Sequence, residues 1–165
     1  MHNQKQKFES FLLNHKDKIY RICRAYVYYP ELTDDLMQEV LINLWSSLAS
    51  FKGQSQLTTW AYRVTVNTAI SFNKKEKTYQ GKNAGEYKGE LTDDTSHRSA
   101  QLEKEAQLER LHLAIADLPK AERLLIGMYL EDISYKEIAT ILGTTTNHVG
   151  VKLNRIKKQL SKKLS

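Results

Sequence analysis

One cysteine, two prolines and seven glycines in 165 residues leave few ways to cross-link, kink or loop this chain. A lone cysteine excludes an internal disulfide, and Ile19, Ile22 and Tyr26 place Cys23 on an apolar helical face, as a packed thiol rather than a reactive one. With only Pro30 and Pro119 as breakers, periodicities of three and four residues run through most of the sequence and predict an all-α fold without internal repeats. No long apolar run or signal peptide is visible, so the chain is expected neither to span a membrane nor to be exported. His2, His15, His97, His112 and His148 show no metal-ligand spacing with Cys23, and no cofactor is expected. Acids are the scarcer charge: 25 Lys and Arg against 19 Asp and Glu give a net charge of +6 and favour an anionic partner.

The cations gather at the end of the chain. From Thr144 onward the charged residues are Lys152, Arg155, Lys157, Lys158, Lys162 and Lys163, with no acid among them. A helix of one sign repels itself unless a polyanion lies against it. The stretch before it, Ser134 to Leu160, has the order of a helix-turn-helix, with a small residue at the crossing (Ala139), a glycine at the turn (Gly143) and an inward apolar residue on the second helix (Val149). Ser134 and Glu137 form a capping box for the first helix, whose buried face is Ile138, Ala139 and Leu142. Thr145 or Thr146 caps the second helix. There Val149, Leu153, Ile156, Leu160 and Leu164 form an inward stripe, and His148, Lys152, Arg155, Gln159 and Lys162 an outward one.

Residues 77–105 lose this periodicity at their start, in a polar run holding three of the seven glycines, and read as a flexible linker. They divide the chain into an N-terminal helical domain, 1–76, and a C-terminal one, 106–165. In the first, Thr33 is the expected cap of a helix opening with Asp34 and Asp35, the sign favoured at that end of the dipole. Leu36, Val40, Leu41, Leu44, Trp45 and Leu48 form its core stripe. Asp35, Gln38, Glu39, Ile42 and Asn43 cover its other angles. After the loop Phe51 to Leu57, Thr58 or Thr59 is expected to cap a further helix. Ala61, Val64, Thr68 and Phe72, with Val66, Ala69 and Ile70, face its core. Arg63, Asn67, Ser71 and Lys74 stand in a row at steps of four, four and three, a mixture of cations, amide and hydroxyl that can contact phosphates and base edges. Trp60 is either a core anchor or a platform for an unpaired base.

The segments DDLMQEVLINLW (34–45), FKGQSQLTTWAYRVTVNTAISFNKK (51–75), LPKAERLLIGMYLEDISYKEIATILG (118–143) and the basic last helix together resemble the extracytoplasmic-function (ECF) sigma factors of bacterial RNA polymerase, in the same order and spacing. The resemblance covers nearly everything but the linker. It implies a cytoplasmic, non-enzymatic subunit that binds core RNA polymerase and directs it to promoter DNA, through two helical domains. By this resemblance Asp35, Gln38 and Glu39 dock on the clamp helices of the largest polymerase subunit, with Leu41, Leu44 and Trp45 as support. The loop around Lys52 to Gln56 shapes a pocket for a base flipped from the minus-10 element, while Arg63, Asn67, Lys74 and Lys75 hold the strand and Trp60 stays divided between core and DNA. His148, Val151, Lys152 and Arg155, with Gly150 and Asn154, face the major groove of the minus-35 element. An anti-sigma factor is a further candidate partner; a small-molecule substrate is not expected. Gly150 stands where many relatives carry Lys or Arg, Val151 where a small polar residue is common and Ser71 where Asp is common, so no promoter sequence carries over.

Two other readings compete. A stand-alone helix-turn-helix regulator with an N-terminal dimerisation or sensing module explains residues 134–160 but not the joint pattern of 34–75. A DNA-cleaving enzyme would need an activated nucleophile or clustered carboxylates. Asp34 and Asp35, adjacent on a helix, point in different directions and make a poor metal pair.

Overall fold

The structure, a computed structural model, describes residues 2–53, 55–82 and 100–165. The rest of the expected linker, 83–99, lies outside the described residues, as do the side chains of Lys74 and Lys75. Among the described residues the fold is all-α: α1 (His2–Tyr26), α2 (Thr33–Ser47), α3 (Leu57–Lys82), α4 (Ala100–Ala116), α5 (Lys120–Leu130), α6 (Tyr135–Leu142) and α7 (Thr146–Leu164). Helix α3 thus continues six residues into the segment read as linker, and α4 begins inside it.

Helix α1 is defined by Phe8, Phe11, Ile19, Ile22, Cys23 and Tyr26, all buried on one face. Burial pushes the Cys23 thiol up to about 12, so it stays protonated and inert. Past Tyr26 the chain leaves the helix, and the amide of Tyr28 donates to Glu76 Oε1 on α3 at 2.8 Å. Pro30–Leu32 makes a 3₁₀ turn that runs straight into α2. Thr33 therefore does not cap α2: its backbone is already helical, and its buried hydroxyl donates to the Pro30 carbonyl at 2.7 Å. Leu36, Met37, Val40 and Leu44 make the inward face of α2, continued by Leu48 in the 3₁₀ turn that follows it, each contributing about 1.5–3 kcal/mol relative to exposure. Asn43 Nδ2 donates to Thr68 Oγ1 at 2.9 Å and pins α2 to α3. Neither Thr58 nor Thr59 caps α3, which starts one residue earlier, at Leu57.

Two expected core residues face outward instead. Trp45 is 54 % exposed, its ring reaching the edge of the core at Phe8 (centroids 5.8 Å apart), because Leu44 and Leu48 take the inward directions on that turn. Ile70 is 57 % exposed, since Ala69 and Phe72 take the two inward directions on that turn of α3. At the C-terminus Leu164 likewise lies beyond the last packed turn of α7 and is exposed.

The C-terminal helices enclose Ile115, Leu124, Leu125, Met128, Ile138, Leu153 and Ile156. This core is continuous with the N-terminal one, because α1 packs on α5 and α3 on α6.

Candidate nucleic-acid interface

The helix-turn-helix forms through local chemistry that its sequence states. Ser134, in extended conformation, accepts from the Glu137 amide at 3.1 Å and starts α6. Gly143 ends α6 with φ +70° and ψ +36°, a left-handed geometry that only glycine adopts without strain. Thr145 then caps α7, its hydroxyl accepting from the His148 amide at 3.2 Å. Val149, Leu153, Ile156 and Leu160 are buried, which fixes which face of α7 is left for a partner.

That outer face carries His148, Val151, Asn154 and Arg155, all exposed, with Val151 at 54 %. Lys152 is half-buried, at the rim of a cavity of about 410 Å³ that it shares with His148 and Val149. Gly150 turns from the outer face toward α6, where a Cβ would meet the Tyr135 ring at 3.7 Å. Lys157 is held inward: its ammonium sits 4.3 Å from the centre of the Tyr129 ring and donates to Tyr135 Oη at 3.1 Å. These contacts raise its pKa and keep it on the protein. Lys163 pairs with Asp117 at 3.2 Å. The cationic tail seen in the sequence is thus sorted by structure into Arg155, Lys158 and Lys162, exposed, Lys163, exposed and paired at the surface with Asp117, and Lys157, held against Tyr129 and Tyr135.

On the N-terminal unit Arg63, Asn67 and Ser71 line the exposed side of α3, as their spacing predicts. Arg63, however, is engaged: its Nη2 donates to the Thr140 carbonyl of α6 at 3.0 Å. Lys52 is exposed at a second cavity, of about 480 Å³, lined by Lys7, Leu48, Phe51, Gly53, Ser55 and Leu57. Its floor is apolar and its two lysines can meet phosphates. The contribution of Lys7, from far down α1, is not legible from the loop sequence. Trp60 is half-buried, its ring 5.1 Å from that of Phe51 behind this cavity, so it braces the loop.

The third surface is the outer side of α2. Asp35, Gln38, Ile42 and Trp45 follow at steps of three, four and three, all exposed, with Glu39 half-buried beside them. Ile42 and Trp45 are the members that sequence reasoning missed as a site; an outward Trp is distinguished from an inward one only by knowing which residues fill the core. Among the described residues no three His, Cys, Asp or Glu side chains are grouped to hold a metal, and no helix is long and apolar enough to cross a membrane.

A capped helix-turn-helix with a basic outer face, packed on a second helical unit that has its own polar row, defines a helical DNA-binding protein with more than one contact surface. The sigma-70 region 2 family model matches residues 4–78 and the sigma-70 region 4 model residues 108–160. The chain therefore belongs to the sigma-70 family, and within it to the ECF sigma factors, as an RNA polymerase sigma factor acting with core polymerase on promoter DNA. The RNA polymerase sigma factor YlaC of Bacillus subtilis is 28% identical over 93% of this chain and 95% of its own length. SigV of the same organism is 29% identical over 87% of this chain and 82% of its own. The sigma factor RpoE of Bartonella quintana, solved in complex with the anti-sigma factor NepR, shares the fold with a TM-score of 0.72 at 18% identity, over 96% of this chain and 97% of that one. A match of region 2 across the N-terminal unit leaves the stand-alone regulator without support.

Proposed function

We propose that the three surfaces divide the work of initiation. The outer side of α2, with Asp35, Gln38 and Glu39 and the exposed Ile42 and Trp45, docks on core polymerase. Arg63, Asn67, Lys74 and Lys75 bind the opened minus-10 strand, and the cavity beside Lys52 takes an unstacked base. His148, Val151, Lys152 and Arg155 read the minus-35 major groove. In this reading residues 1–76 are the polymerase-binding and melting domain, 77–105 the linker and 106–165 the minus-35 domain. The observation that carries it is the α2 stripe: a large aromatic and an isoleucine left in water beside acids, in a protein of net positive charge, is a surface for a protein rather than for DNA. The protein carries out no covalent chemistry, works in the cytoplasm, and is open to control by an anti-sigma factor of the kind bound to the Bartonella relative.

Mutating Gln38 and Glu39 together to Ala is expected to weaken association with core polymerase by about 5–150-fold, the range for losing about 1–3 kcal/mol of central interface contacts. Its binding to minus-35 duplex without polymerase should not change. Co-purification with core enzyme and duplex titration check both halves; normal polymerase affinity would remove α2 from the docking role. Separately, Arg155→Ala should reduce the salt dependence of minus-35 binding by roughly one counterion, as expected for a lost phosphate contact. Titrations across a salt series measure this, and an unchanged slope would take Arg155 off the DNA.

A further inference from the structure

The 410 Å³ cavity beside α7 joins apolar walls to cations. Leu124 and Leu125 of α5, Val149 of α7 and Tyr26 of α1 line it and are buried. Ile70 of α3, 57 % exposed, and the half-buried Leu142 of α6 also line it, with apolar surface left uncovered. Protein interiors close-pack, and an apolar space of this size falls within the range of small-ligand sites, about 300–1,000 Å³. Lys120, His148 and Lys152 line the same space, and among the described residues no acid does. The charge of Lys120 also steadies the carboxylate of Glu76, so His148 and Lys152 supply most of what an anion would meet. A neutral hydrocarbon would leave these cations unanswered, and an inorganic anion would leave the walls bare. A chain that ends in a carboxylate answers both.

We propose that this cavity binds a single-chain amphiphilic anion of the fatty-acid class, and that the bound anion competes with minus-35 DNA for His148 and Lys152. The competition rests on the role given above to the outer face of α7; the binding does not. A head group held by Lys152 neutralises a cation that would otherwise meet a phosphate, and its own charge repels the DNA backbone. Neither effect requires any helix to move.

Octanoate is the probe, with octan-1-ol, which has the same chain and no charge, as its control. Calorimetric titration of the full chain is expected to show one octanoate per protein, bound about tenfold more tightly than octan-1-ol, as one charge-assisted contact provides. Lys152→Gln should remove most of that preference. Ala121 lines the cavity from the exposed first turn of α5, away from the residues assigned to DNA. Ala121→Trp should fill the space and abolish octanoate binding, while an affinity for minus-35 duplex equal to that of wild type shows that the variant is folded. Saturating octanoate should weaken duplex binding about tenfold in wild type, the effect of one lost cationic contact, and leave Ala121→Trp unchanged. No saturable octanoate binding, equal binding of octanoate and octan-1-ol, or binding that survives Ala121→Trp overturns the site and leaves the cavity to an apolar side chain of a protein partner. Octanoate bound with duplex affinity unchanged overturns the competition. A chain that binds octanoate but no minus-35 duplex under any condition overturns instead the assignment of α7 to DNA.

Discussion

Replacing Arg123 with methionine is expected to destabilise the protein by about 3–5 kcal/mol, the usual consequence of removing one partner from a buried charged network. The guanidinium closes two helices at once. Its Nε donates to the Tyr26 carbonyl at the end of α1, and its Nη1 to the carbonyls of Ala116 and Leu118 at the end of α4, at 3.2 and 3.1 Å. Both helix ends carry partial negative charge from unpaired carbonyls, and a cation placed between them answers both. Glu76, raised from its ordinary value mainly by burial, lies close enough for the Arg123 charge to pull it back down, and the Tyr26 ring sits 5.6 Å from the guanidinium carbon. Methionine fills much of the same volume but leaves three carbonyls without donors. Lysine restores a charge at one point and not the planar fork that reaches three acceptors, so Arg123→Lys should recover only part of the loss. Urea unfolding measures each; a methionine variant within about 1 kcal/mol of wild type would mean that water replaces the guanidinium without penalty.

Arg123 also shows where the sequence stops being legible. The caps of α6 could be read directly, since Ser134 with Glu137 and Gly143 act across three or four residues of chain, and that of α7 to within one residue, the structure choosing Thr145 over Thr146. The inward stripe of α7 was legible for the same reason, up to Leu160. Thr33 failed as a cap because Pro30 three residues earlier had already started helical backbone, a local competition that propensities alone do not resolve. Trp45 and Ile70 failed for a different reason. Periodicity says that a residue lies within a turn of the buried face, but a neighbour's volume decides whether there is room beneath it. Arg123 reaching Tyr26, and Glu76 reaching Tyr28, join positions 97 and 48 residues apart, and no spacing rule links them. The candidate DNA row on α3 was legible as a row; that its first member is engaged by α6 was not.

His112 is expected to make the protein less stable in weak acid. It sits on α4 with its Nδ1 buried and without a hydrogen-bond partner among the described residues. Burial, reinforced by the positive charge of Arg24 on α1, lowers its pKa from 6.5 to about 4. The unfolded chain takes up a proton as pH falls through about 6.5, while the folded protein refuses it until about 4. Stability is therefore complete above pH 6.5 and declines between these values, by well under the roughly 3 kcal/mol that a shift of this size would carry in full, because the half-buried ring is partly screened by water. Carboxylates add their own losses at the lower edge of the window, so the test is a difference. His112→Leu, which keeps the side chain apolar and close in size, should lose less stability than wild type between pH 7 and pH 4.5, as read from urea midpoints at each pH. Parallel curves would show that the imidazole does not titrate in this range. Protonation sets a cation against Arg24 where α4 meets α1, so hydrogen exchange in acid should quicken in α4 before it does in α6 or α7.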